Sequence, residues 1–127
     1  MSFDLEKHLA RQIAFSRATF GPGARREGVC DHIRREIEKE ILSDERTIDD
    51  EEAAEEFVGL VILSLDGLTR ALVAAGVAWH HVPSCACEMI IAKQAENEQR
   101  DWPDWRTADP NKAIEHVRKP TDAEGEV

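Results

Sequence analysis

From Glu51 to about Ala75 the chain contains no proline, and between Phe57 and Leu65 it is apolar on nearly every side of a helical projection. Side chains that point apolar groups in all directions need other elements around them, so a buried core helix inside a bundle is expected here. Asp49 or Asp50 supplies an N-cap, the acids that follow favour the positive end of the helix dipole, and Gly76 ends the helix. No segment of useful length alternates with period two, which leaves an all-α fold.

Three further helices can surround it. Asp4 to about Arg17 carries Leu5, Leu9 and Ile13 at four-residue spacing and should stop near Thr19, before the breaker Gly21-Pro22-Gly23. About Gly28 to Ser43 places Val29, Ile33, Ile37 and Ile41 on one side. A turn through His80, His81 and Pro83 precedes a helix from Ser84, its N-cap, to about Arg100. Trp102-Pro103-Asp104-Trp105 is extended or turned, and a short last helix is expected from Asp109, with Pro110 at its first position, to about Lys119. The expected architecture is an antiparallel bundle of four main helices plus that short C-terminal helix, forming one domain over 1–119 with a disordered tail at 120–127.

Composition narrows the partners. A chain of 127 residues suits one domain, and a net charge of -10 opposes binding to a nucleic acid backbone. Tyrosine is absent and aromatics make up 6%, so no stacking platform for single strands is expected. No charged-then-apolar amino terminus and no apolar run of about 18 residues are seen, and only three cysteines, so a cytoplasmic protein without a membrane partner is expected.

The polar residues inside the apolar stripes carry the chemistry. At 100° per residue, Glu40 falls between Ile33 and Ile37, with Glu36 at the edge beside Val29, whereas Glu38 and Lys39 point elsewhere. On the next helix Glu52 and Glu56 lie close to Leu63, with Gly59 and then Asp66 on the adjacent edge. A glutamate in an apolar stripe is costly unless it is paired or binds a cation. Hard oxygens on two facing helices suit Mg²⁺ or Mn²⁺, with open positions for water and phosphate; pairing with an arginine or a favourable helix dipole is the blander alternative. Lys93, Asn97 and Arg100 share a face with Ala86, Met89 and Ile90 and could hold a polyphosphate, or form ion pairs with the acidic helices. Cys85 and Cys87 with His80, His81, Cys30 and His32 lack the spacing of a zinc site, and small buried thiols are the expectation.

Several runs together resemble a known family. Phe3-Asp4-Leu5-Glu6-Lys7-His8-Leu9-Ala10-Arg11-Gln12, Phe15-Ser16, Thr19-Phe20-Gly21-Pro22-Gly23 and Gly28-Val29-Cys30-Asp31-His32-Ile33-Arg34-Arg35-Glu36 are similar to the dATP/dGTP pyrophosphohydrolase branch of the MazG-like all-α nucleotide pyrophosphohydrolases. Leu65-Asp66-Gly67, Lys93-Gln94-Ala95 with Asn97, Trp102-Pro103-Asp104-Trp105-Arg106 and Lys112-Ala113-Ile114-Glu115-His116 extend the resemblance to about Arg118. It implies a homodimer or homotetramer that uses Mg²⁺ or Mn²⁺ to cleave a purine dNTP between the α and β phosphates. In phages that replace adenine with 2-aminoadenine, such an enzyme would supply dGMP from dGTP and deplete dATP.

The resemblance implies metal ligands at Glu36, Glu40 and Glu56, with Glu52 or Asp66 as further candidates, and a pyrophosphate side at Lys93, Asn97 and Arg100. It also implies nucleoside contacts from the first helix, through Gln12, Ser16 and Phe20. The family's metal motif pairs ExxE on one helix with ExxD on the next. Lys39 stands at the second position of the first half, with Glu40 one residue later, and Gly59 stands where the family has aspartate. A nucleotide-binding regulator or sensor, with catalysis removed by Gly59, is the alternative.

Overall fold

The computed structural model describes residues 2–118, and among them every regular element is helical. The helices are α1 Leu5–Phe20, α2 Arg26–Glu36 running into a π turn at Ile37–Ile41, α3 Asp50–Ala74 and α4 Val82–Gln99. Contacts group the chain into two compact units, Met1–Glu88 and Met89–Val127, with α4 divided at Glu88.

In the first unit the ends of α1 and α3 follow from capping chemistry. Asp4 accepts from the Lys7 N–H at 3.1 Å and Asp49 from the Glu52 N–H at 2.8 Å, each satisfying a first-turn donor. Gly21 at φ +88 and Gly76 at φ +99 take up the left-handed backbone that ends the helices. After α3 the Gly76 N–H donates to Val73 O at 3.0 Å and the Val77 N–H to Leu72 O at 3.0 Å, a Schellman closure. The fourth helix begins at Val82 rather than Ser84, because Pro83 is tolerated in a first turn; Ser84 lies inside it, with Oγ donating to His81 O at 3.2 Å.

The order of contacts gives the topology of this unit. Gln12 and Ser16 of α1 bond to Ile62 and Asp66 of α3, so those helices run parallel. Glu36 meets Glu56, while a Cβ placed at Gly67 would stand 3.4 Å from Val29 Cγ1, so α2 runs antiparallel to α3 and passes it closely where glycine leaves room. Leu9, Ile13, Leu65, Leu72, Val82 and Ala86 form the core, joining α1 and α3 to the start of α4.

The apolar run of α3 departs from expectation. Leu65 is buried, but Phe57, Val58, Val61 and Ile62 are 56%, 57%, 57% and 41% exposed. The core described above takes only the C-terminal half of α3, and one chain leaves this earlier strip uncovered. By length and composition α3 could also cross a membrane, contrary to the expectation of no such run, and only 17% of its apolar window is buried. That window tolerates Asp66 and Arg70, which pair with each other and with α1, as in a bundle helix.

In the second unit the short helix expected from Asp109 is not formed among the described residues. The Asn111 and Lys112 N–H groups close a turn on Asp109 Oδ1 and O, at 2.9 and 3.1 Å. The chain then returns, the Val117 N–H donating to Asp101 O at 2.7 Å and His116 meeting the Trp102 ring edge-on at 5.8 Å. A non-local bond thus takes the donor that a helix would have used internally. The tail expected at 120–127 lies outside the described residues.

Candidate active site

Glu36, Glu40 and Glu56 are all half-buried, whereas Glu38, Lys39, Glu52 and Glu55 around them are exposed. Antiparallel packing of α2 on α3 brings Glu36 to Glu56, with the charge of Glu40 in reach of Glu56. Partial burial, a hydrogen bond with the Glu36 carboxyl and the charges of Glu36 and Glu40 push the Glu56 carboxyl above its ordinary range, and Arg46 pulls it back. His32 Nε2 stands 3.4 Å from Glu36. Among the described residues no three His, Cys, Asp or Glu side chains converge into a ready cage for an ion. The donor chemistry still fits a hard divalent cation, since Mg²⁺ is commonly held through one or two carboxylates with substrate phosphates and water completing its shell. Gly59, one turn beyond Glu56, is half-buried, and a Cβ there would meet nothing within 4 Å.

Crowding of carboxylates has a measurable consequence. The Glu56 pKa is raised above the ordinary 4.5, so its contribution to stability is fully present below 4.5 and lost as pH rises through the raised value. Metal-free protein should therefore show a component of melting temperature that declines across this window and is missing from Glu56→Gln. Parallel thermal melts of the two proteins at a series of pH values check this.

The other carboxylate candidates are engaged elsewhere. Glu52 accepts from Arg46 at 2.9 Å. Asp66, ten residues beyond Glu56 and so about 15 Å further along α3, accepts from Ser16 Oγ at 2.6 Å and from Arg70 Nε at 3.0 and 3.2 Å. Arg70 also donates to Gly23 O at 2.6 Å and to Ser16 Oγ at 2.9 Å, pinning the Gly-Pro-Gly loop as well as α1. Sequence reasoning missed Arg70, although an arginine four residues after an aspartate in an apolar helix is a signal for such a pair.

The first-helix candidates divide. Gln12 is buried, with Nε2 donating to Ile62 O at 2.7 Å and Oε1 bonded to His8 Nε2 at 2.8 Å. Ser16 is occupied by Asp66 and Arg70. Phe20 is 46% exposed, edge-on to Phe15 at 6.5 Å and covered by Arg25 at 5.3 Å. A cavity of about 130 Å³ lies between Ser16, Arg17, Thr69, Arg70 and Trp79, with the Arg17 guanidinium 3.7 Å from the Trp79 ring. A groove of about 290 Å³ runs past Arg25, Arg26, Val29, Ile33 and Gly67. Neither hollow is lined by Glu36, Glu40 or Glu56.

In the second unit Lys93, Asn97 and Arg100 are gathered around Glu96. Lys93 Nζ lies 3.7 Å from its carboxylate and Arg100 bonds to it, while Arg100 Nη1 also donates to Asn97 Oδ1 at 3.2 Å. Trp102 Nε1 donates to Asn97 O at 2.7 Å, fastening the Trp-Pro-Asp-Trp segment to the end of α4. These ion pairs are local, between residues three and four apart at the C-terminal end of α4, and exposed pairs of this kind contribute little to stability. Cys85 and Cys87 pack half-buried against the core of the first unit, and burial together with nearby acids raises the Cys87 thiol pKa; Cys30 is exposed.

The family model described as dATP/dGTP pyrophosphohydrolase matches residues 8–122. No curated protein and no solved structure matches the chain.

Proposed function

Because the chain belongs to the dATP/dGTP pyrophosphohydrolase family, we propose that it hydrolyses dGTP and dATP between the α and β phosphates, giving dNMP and pyrophosphate with Mg²⁺ or Mn²⁺. The observation that carries this is the meeting of the Glu36 and Glu56 carboxyls on facing helices, half-buried despite their repulsion, with the charge of Glu40 in reach of Glu56. When bound, a divalent ion would neutralise phosphate oxygens and lower the pKa of the attacking water. Glu36, Glu40 and Glu56 would hold it, and a carboxylate oxygen left free would accept the proton of that water. Lys93, Asn97 and Arg100 would bind the pyrophosphate side by exchanging Glu96 for phosphate oxygens. Phe20 is the nucleoside candidate whose side chain is still open to a ligand; Gln12 and Ser16 would act by fixing α1.

The purified protein should release pyrophosphate and dNMP in equal amounts from dGTP or dATP only when Mg²⁺ or Mn²⁺ is supplied. Inorganic phosphate as the sole product, or no turnover with either metal, would overturn the proposal. A second reading, nucleotide binding without turnover, rests on Gly59 in place of an aspartate; calorimetry showing metal-dependent dNTP binding with no product would favour it. We further propose a role like that of phage MazZ: in the host cytoplasm, during replication of a phage that replaces adenine with 2-aminoadenine, the enzyme would supply dGMP from dGTP and deplete dATP.

The exposed strip Phe57, Val58, Val61 and Ile62 supports assembly as a homodimer or homotetramer, with a second copy covering what one chain leaves bare. Val61→Asp is expected to shift the protein to monomer in sedimentation velocity. An unchanged assembly would remove α3 from the interface.

A further inference from the structure

The groove of about 290 Å³ along the seam of α2 and α3 carries a charge pattern opposite to that of the chain. The protein bears a net charge of -10, yet Arg25, Arg26 and Arg70 line the groove with no acid among the lining residues. Arg70 is spent on Asp66 and the Gly23 carbonyl. Arg25 is not, for among the described residues no carboxylate pairs with it. Its guanidinium is held over the Phe20 ring at 5.3 Å and against Gly28, where a Cβ would stand 2.9 Å from Nη2. An aromatic face and a bare glycine thus place the fork of a half-buried arginine without using its donors.

The groove also has a direction. Because α2 and α3 run antiparallel, Ile33 and Ser64 mark one end of it, and Ile33 is about 4.5 Å along the helix from Glu36. Arg25 and Ala74 mark the other end, with Arg25 roughly 16 Å along α2 from Glu36. A nucleotide whose phosphates stand at Glu36 and Glu56 would lay its sugar and base along apolar Val29, Ile33 and Ala71, with the arginine fork at the edge of the base. Guanine presents O6 and N7 there, two adjacent acceptors that a guanidinium takes in parallel hydrogen bonds. Adenine presents one acceptor and one donor, so an N–H of the fork would face an N–H. We infer that this groove is the nucleoside site and that Arg25 selects guanine over adenine, which makes dGTP the preferred purine substrate. This rests on the proposed dNTP hydrolysis and gives the base and sugar a pocket of their own.

The test compares kcat/KM for dGTP and dATP by pyrophosphate release and, without metal, the binding of deoxyguanosine and deoxyadenosine to the full chain by NMR titration. The parent should favour the guanine compound in both assays by at least about fivefold, the discrimination that one bidentate pair gives. Arg25→Met and Arg25→Lys should each bring the two nucleosides within about twofold of one another, since lysine keeps the charge but loses the fork. Gly28→Ala should do likewise without lowering the melting temperature, because alanine favours the helix and only the guanidinium has to move. Equal affinity for the two nucleosides in the parent overturns the inference, as does guanine preference retained by Arg25→Lys. An equal fall for dGTP and dATP in the Arg25 variants, with their ratio unchanged, would put Arg25 on phosphate and overturns it too. No pyrophosphate from either dNTP would remove the hydrolytic activity and leave the nucleoside titration to decide the groove.

Discussion

Glu56→Gln is expected to lower kcat for dGTP and dATP by roughly 10³-fold or more while leaving the helices intact and raising the metal-free melting temperature at neutral pH. The two effects have one origin. Glu56 faces the carboxyls of Glu36 and Glu40, and folding brings these like charges together at a cost. Glutamine is nearly isosteric and uncharged, so it relieves that cost in the empty site and removes a hard ligand from the occupied one. The opposite signs distinguish a functional carboxylate from a structural one, since a glutamate kept for an ion pair would lower stability when neutralised. Steady-state product assays beside thermal melts measure both, and a variant with parent activity would remove Glu56 from the site.

Much of the fold is written locally. Asp4, Asp49, Gly21 and Gly76 mark helix ends through bonds that reach only a few residues, and the structure places ends within a few residues of them. The stripe positions of Glu40 and Glu56 also follow from helical geometry, and both side chains are half-buried. What local pattern could not show is the partner 50 residues away. Gln12, Ser16 and Asp66 look like ligands in a sequence because each is a polar residue in an apolar stripe, yet each spends its polar atoms joining α1 to α3. The helix expected after Asp109 fails for the same reason, since the Val117 to Asp101 bond is invisible to a local reading. The π turn escaped because a projection at 100° per residue assumes the regularity that the turn breaks.

The largest loss of stability is expected from Asp66→Ala. Asp66 and Arg70 are each about 10% exposed and saturate one another, with Ser16 and the Gly23 carbonyl taking the remaining guanidinium donors. Removing the aspartate strands a buried guanidinium, which costs about 3–5 kcal/mol. For a domain of this size that corresponds to a fall in melting temperature on the order of 20 °C. The pair need not itself be the cheapest way to hold α3 against α1, because two desolvated charges recover only part of their hydration. Asp66→Leu/Arg70→Met, which removes both charges and keeps apolar volume, should therefore be less destabilised than Asp66→Ala. Urea unfolding of the single and double variants tests this ordering, and equal losses would show that packing, rather than the stranded charge, sets the cost. The pair lies about 15 Å along α3 from Glu56, so at temperatures where the double variant stays folded its dNTP turnover should persist, separating the residues that hold the bundle from those that do the chemistry.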